Sequence, residues 1–168
     1  ATINQPLDFF GANIYSGRYV HATPDGGVEK AMDRDQPLTA MGWPITPEAL
    51  YWAPRFFHER YHLPIVITEN GMAHDDHLEH GAVDDQPRID FLQSYLQHYA
   101  RAIAEGIPAQ GYFLWSVMDN FEWAEGYSKR FGLIHVDYAS QRRTLKASAQ
   151  WYRRVIAGNG GNQGGKMD

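Results

Sequence analysis

A glutamate follows directly on a β-branched apolar run in Leu63-Pro-Ile-Val-Ile-Thr-Glu-Asn-Gly71. A run of that kind reads as a buried strand, so Glu69 is expected at its mouth, on a rigid base. Nucleophilic catalysis needs such fixed placement. An ordinary polar residue opening a loop would occupy the same position, and position alone does not separate the two readings. A second constellation is Trp115-Ser-Val-Met-Asp-Asn-Phe-Glu-Trp-Ala-Glu-Gly-Tyr-Ser-Lys-Arg-Phe131. It gathers large aromatics and carboxylates after another apolar run. A pyranose ring presents apolar C–H faces, which an indole covers, and hydroxyls, which a carboxylate accepts in pairs. A buried aromatic cluster under a salt-bridged loop would give the same composition.

Two histidine patterns suggest other chemistry. His58-Glu-Arg-Tyr-His62 has the two-histidine helix spacing of zinc peptidases. A third ligand is needed, and the expected glycine and histidine positions fall on Ile65 and Thr68. Pro64 also ends the helix there. His74, His77 and His80, with Asp75, Asp76 and Glu79, form a polar cluster that reads better as an exposed loop near a pocket rim than as a metal site. No metal and no cofactor is expected.

These residues must be positioned by something, and the chain supplies three similar blocks. Each opens with an apolar run and continues into a helix-like stretch. Leu7–Tyr15 is followed by a long polar segment, Ser16 to about Pro44, which reads as a functional loop. Thr46 and Pro47 then signal a helix start, with Leu50, Phe57 and Tyr61 as its apolar face and a kink or restart expected at Pro54. After the Glu69 run, a helix is expected over about Pro87 to Glu105. Asp85 is its cap, and Ile89, Leu92, Leu96, Tyr99 and Ile103 form its stripe. Gly111–Val117 is the third run. Gly132–Asp137 reads as a short extra strand and Leu145–Ile156 as a last helix. Residues 158–168 are glycine-rich and linker-like, which leaves residues 1–157 as the folded part.

Strand–helix alternation repeated three times means parallel α/β architecture, with the unusual residues at the strands' C-terminal ends. Eight such units close a barrel; three cannot. The chain of 168 residues is 43% hydrophobic and 14% aromatic, with a net charge of −5 and no cysteine. The negative charge argues against nucleic acid as a partner. The missing cysteines exclude disulfides and a cysteine nucleophile. No run of ~18 apolar residues suggests a membrane span, and no signal-peptide pattern is present. The chain opens at Ala1 rather than at a methionine and reads as a piece of something longer.

The longest motifs resemble the C-terminal part of glycoside hydrolase family 1, the β-glucosidase and β-galactosidase group. They are Asp8-Phe-Phe-Gly-Ala-Asn-Ile-Tyr-Ser16, Gly42-Trp-Pro-Ile-Thr-Pro-Glu-Ala-Leu-Tyr51, Pro64-Ile-Val-Ile-Thr-Glu-Asn-Gly71 and Gly111–Tyr138, in family order. The resemblance implies strands six to eight of a (β/α)8 TIM barrel. It implies Glu69 as the nucleophile of a retaining mechanism, oriented by Tyr15 with Asn13 beside it. Glu122 and Trp123 would hold sugar hydroxyls, Trp115 would lie under the ring, Trp43 would face the leaving group, and Phe131 would wall the pocket. The family usually has two tyrosines where this chain has Ile14-Tyr15, and Pro44 replaces a common acidic residue.

The family's acid/base glutamate sits in an Asn-Glu-Pro motif, and no Asn-Glu-Pro occurs in this chain. Glu122 and Asp119 are poor substitutes, the first because the resemblance assigns it to hydroxyls, the second because it reads as a brace for its loop. The expected function is therefore β-glucoside hydrolysis, possible galactoside hydrolysis included, in concert with an N-terminal remainder. The isolated chain is expected to be inactive or, on the alternative reading, to be a sugar-binding fragment. Self-association through free strand edges is the other partner expectation. The sequence carries no cellular address, and only the resemblance implies the cytoplasm.

Overall fold

The structure, a computed structural model, describes residues 5–31 and 36–159. Most of the glycine-rich tail and four residues of the long polar segment lie outside the described residues. The elements in chain order are β1 (Phe10–Asn13), β2 (Val20–Ala22), β3 (Val28–Lys30), α1 (Ala49–Tyr61), β4 (Ile65–Asn70), α2 (Gln86–Ala104), β5 (Ala109–Leu114), β6 (Ile134–Val136), β7 (Arg143–Leu145) and α3 (Ala147–Ala157).

β1, β4 and β5 form one parallel sheet in the order β1-β4-β5. The central strand is the most apolar, as expected for a strand covered by helices. Ile65 and Ile67 are fully buried against Leu50 of α1 and Leu92 and Tyr95 of α2. The polar segment after β1 contains an antiparallel hairpin, β2–β3, that the sequence reading did not resolve. The expected extra strand is β6, which pairs with β7.

Two expected helix caps are corrected, a restart within α1 does not occur, and the expected stripe of α2 holds in part. Thr46 does not cap α1 with its side chain. Its Oγ1 instead accepts from the Gly17 amide at 2.6 Å, and the helix begins at Ala49. α1 passes through Pro54 without restarting. Its other face is held by a shared core, so packing outweighs the lost helical hydrogen bond. Asp85 precedes α2 without a side-chain cap bond, because its carboxylate is taken by Arg88 and by the backbone and hydroxyl of Ser148. The buried face of α2 runs through Arg88, Ile89, Phe91, Leu92, Tyr95, Tyr99 and Ala102. Ile89, Leu92 and Tyr99 of the expected stripe are buried and Leu96 is partly so, while Ile103 is 45% exposed.

Both edges of the sheet lack a further strand among the described residues. Several large apolar side chains are also uncovered, among them Phe9, Phe113 and Val117. Gly11 and Phe9 share a face with Thr68, and Gly111 and Phe113 share it with Val66. That face would point inward if the sheet curled into a barrel.

Candidate active site

The C-terminal ends of the three parallel strands are tied together by one residue. Asn70, fully buried, donates from Nδ2 to the Ile14 carbonyl at 2.8 Å and accepts from the Tyr112 hydroxyl at 2.6 Å. Its own carbonyl accepts from the Trp115 amide. Gly71 follows because nothing larger fits: a Cβ there would lie 1.9 Å from the Trp115 carbonyl oxygen. The Trp115–Ser116 peptide is cis. The Glu-Asn-Gly sequence therefore reads, in part, as the geometry of a tight junction between β4 and the chain after β5.

Glu69 is within β4, at its penultimate position, rather than just past the strand. Its backbone is paired with the end of β1, with Asn13 opposite it and the Ile14 amide donating to its carbonyl. Its carboxylate accepts a 2.6 Å hydrogen bond from the Tyr15 hydroxyl. Tyr15 is itself braced. Its ring stands edge-on to Trp43, with centroids 5.3 Å apart, and to Phe131 at 6.2 Å. Its carbonyl accepts from the buried Tyr95 hydroxyl. Burial first, then the hydrogen bond to Glu69 and the charges of Glu69 and Glu122, push the Tyr15 hydroxyl far above its ordinary pKa. It stays a protonated donor throughout the working range of an enzyme.

The loop after β5 brings the second carboxylate. Glu122 is 7% exposed and accepts from the Trp115 indole at 3.3 Å. A short 3-10 turn, Trp123–Glu125, follows it and turns the chain back. The loop then closes on itself. Asp119 accepts from the Gly132 amide at 3.0 Å and from the Val136 amide at 3.4 Å. A Cβ on Gly132 would lie 2.1 Å from the Asp119 amide nitrogen, so glycine is required there too. Asp119 thus braces its loop, as expected, and pairs with Arg130 and Lys146 besides.

A half-open cavity of about 250 Å³ forms between these parts. Tyr15, Trp43, Glu69, Glu122, Trp123 and Phe131 all line it, together with Met41, Ala124 and Glu125, which the sequence reading did not single out. Asn13 and Trp115 do not line it. Asn13 accepts instead from the Thr68 hydroxyl at 2.6 Å, and Trp115 reaches the cavity through its bond to Glu122. Trp123 is 75% exposed, a rim residue in this chain. Phe131, at 1%, is a wall. An aromatic wall beside two carboxylates at a sheet's C-terminal end can seat a polyhydroxylated ring and present one carboxylate to it.

The histidine patterns are accounted for otherwise. His58 Nδ1 is bonded to the Leu63 carbonyl, and His62 is the left-handed residue that ends α1. Asp76 is buried beneath its loop, against Arg88 and Lys146, so the expected exposed cluster is only partly exposed. No group of three metal-ligating side chains occurs among the described residues. No helix among them is long and apolar enough to cross a membrane.

Known proteins share both sequence and fold with this chain. The family model described as Glycosyl hydrolase family 1 matches residues 1–161. Beta-glucosidase A of Thermotoga maritima is 50% identical over 161 residues, which cover 94% of this chain and 36% of that protein. A bifunctional beta-D-glucosidase/beta-D-fucosidase of Bifidobacterium breve is 46% identical over 175 residues, covering 92% and 38%. The structure of the Thermotoga maritima beta-glucosidase in complex with glucoimidazole superposes with a TM-score of 0.86 at 50% identity, over 94% of this chain and 36% of that one. The chain spans little more than a third of these relatives, and its open three-stranded sheet is an incomplete barrel. It belongs to glycosyl hydrolase family 1.

Proposed function

We propose that this chain is the nucleophile-bearing part of a retaining β-glucosidase and forms strands six to eight of its eight-stranded barrel. The observation that carries the reading is the 2.6 Å Tyr15–Glu69 hydrogen bond at the edge of a cavity that Glu122 also lines. Glu69 attacks the anomeric carbon as the bond to the leaving oxygen breaks, giving a glycosyl ester. A second carboxyl group about 5–5.5 Å away protonates that oxygen and later activates the water that frees the sugar. The second group is assigned to the part of the family this chain does not span. Glu122 and Trp123 hold the sugar's hydroxyls, Trp115 fixes Glu122, Trp43 meets the leaving group and Phe131 walls the ring, while Asn13 stands opposite Glu69 on β1. Substrates are β-glucosides, galactosides being the nearest alternative, since the two differ in one hydroxyl's orientation.

The uncovered edges of β1 and β5 and the exposed Phe9 and Phe113 fit docking of the remaining βα units on this sheet. Residues 1–157 are the barrel units in this reading, and residues 158–168 a tail. The test is the anomer first released by the full-length protein from an aryl β-glucoside, followed by NMR. The β-anomer is expected, with turnover lost in Glu69→Gln. An α-anomer, or undiminished turnover in Glu69→Gln, would end the proposal. The isolated chain is expected not to turn over the same substrate.

A further inference from the structure

Behind the cavity wall lies a chain of alternating charges that the reaction itself does not use. Arg88 pairs with Asp85 and, through both terminal nitrogens, with Asp76. Lys146 bonds Asp76 at 2.5 Å and Asp119 at 2.8 Å. Arg130 pairs with the other oxygen of Asp119 at 2.5 Å. Three carboxylates meet three cations. All but Arg130 have essentially no exposed side-chain surface. Burying that many charges is costly, and a removed partner leaves an uncompensated charge behind.

The placement of Lys146 is specific. It sits at the start of α3, on neither of the loops that frame the cavity. Asp76 belongs to the loop after β4, the strand of Glu69. Asp119 belongs to the loop after β5, which carries Glu122. Asp119 also holds the Gly132 amide, next to the cavity wall at Phe131. We propose that Lys146 is a positioning residue for Glu122: its ammonium, shared between Asp76 and Asp119, fixes the Glu122 loop relative to the strand of Glu69. The inference rests on the glycosidase reading above and adds to it a residue that touches no substrate. The His74 amide and the Arg88 guanidinium both donate to the Arg130 carbonyl and hold the same loop end. Loss of Lys146 therefore shifts the loop rather than releasing it. Small displacements of a positioning group carry large kinetic penalties.

The experiment uses the full-length enzyme carrying this segment, takes the C6 hydroxyl as one of those Glu122 holds, and compares kcat/KM on an aryl β-glucoside and on the matching β-xyloside, which lacks the C6 hydroxymethyl group. The ratio of the two cancels any loss of folded enzyme. In Lys146→Met the ratio is expected to fall roughly tenfold, chiefly through glucoside KM, with no further fall when combined with Glu122→Gln. Asp119→Asn keeps an acceptor for the Gly132 amide while removing the ammonium's charge partner. It is expected to lower the ratio in the same direction, and it decides the matter should Lys146→Met not fold. If both substrates slow by one common factor in these variants while Glu122→Gln changes the ratio, Lys146 is merely structural and the inference fails alone. If Glu122→Gln itself leaves the ratio unchanged, the assignment of Glu122 fails, and this inference with it.

Discussion

Replacing Tyr15 by phenylalanine removes one oxygen and almost nothing else. The ring stays seated, because Trp43 and Phe131 hold its edges and the Tyr95 hydroxyl holds its backbone. What is lost is the 2.6 Å bond to the Glu69 carboxylate. A hydrogen bond to a charged group contributes about 1.5–3 kcal/mol. At about 1.36 kcal/mol per decade, that bounds the effect at roughly 10- to 100-fold in rate. The nucleophile's charge is consumed as the ester forms, so the bond weakens along the reaction and the loss of its energy alone would not slow the attack. What slows it is lost orientation: a Glu69 carboxylate free to turn from the anomeric carbon is expected to lower kcat/KM by roughly tenfold. The assay is turnover of an aryl β-glucoside by the full-length enzyme. Active sites are counted by covalent labelling, so that misfolding is not read as slowing. Activity within twofold of the parent would mean that Tyr15 does not orient Glu69. A loss as deep as that of Glu69→Gln would mean that Tyr15 does more than orient it.

Three further outcomes follow from the geometry. Gly132→Ala drives a methyl group into the Asp119 backbone and should destabilise the protein by roughly 3 kcal/mol, the upper end for overpacking; urea unfolding checks it. Burial raises the Asp76 carboxyl's pKa, but Arg88 and Lys146 outweigh burial and hold it below the ordinary carboxylate range. Its stabilisation is then complete above the unfolded value of about 3.9 and is lost as pH falls through the lower folded value. Asp76→Asn should accordingly flatten the dependence of unfolding free energy on pH below about 4; an unchanged acid slope would contradict the assignment. The isolated chain should self-associate through its uncovered sheet, so light scattering after gel filtration should show species larger than a monomer; a strictly monomeric, folded chain would argue against an unpartnered sheet.

The parallel strands and the cavity were legible because their signals are local. Ile-Val-Ile is buried on both faces and cannot be much else, and the carboxylate follows two residues on, past an irregularity in the pairing with β1. The aromatic–carboxylate loop declares its chemistry by composition alone. The errors came where tertiary partners override local rules. Thr46 and Asp85 are in cap positions, but Gly17 and Ser148, far off in sequence, claim their side chains. Pro54 should break a helix, and the surrounding core does not let it. Lys146 was invisible, since a lone lysine before a helix carries no sign that it will be fully buried between two aspartates 70 and 27 residues away. Met41 and Glu125 were missed for a similar reason: cavity lining depends on where loops fold back, which no periodicity records.

The central claim is that Glu69 is the atom-bonding nucleophile. A 2-deoxy-2-fluoro aryl β-glucoside slows both steps of a retaining reaction and traps the glycosyl ester. The full-length enzyme should be labelled once, and peptide mass spectrometry should place the sugar on the peptide containing Ile67-Thr-Glu-Asn-Gly71. A label on Glu122 or any other carboxylate, or labelling that persists in Glu69→Gln, would contradict the account.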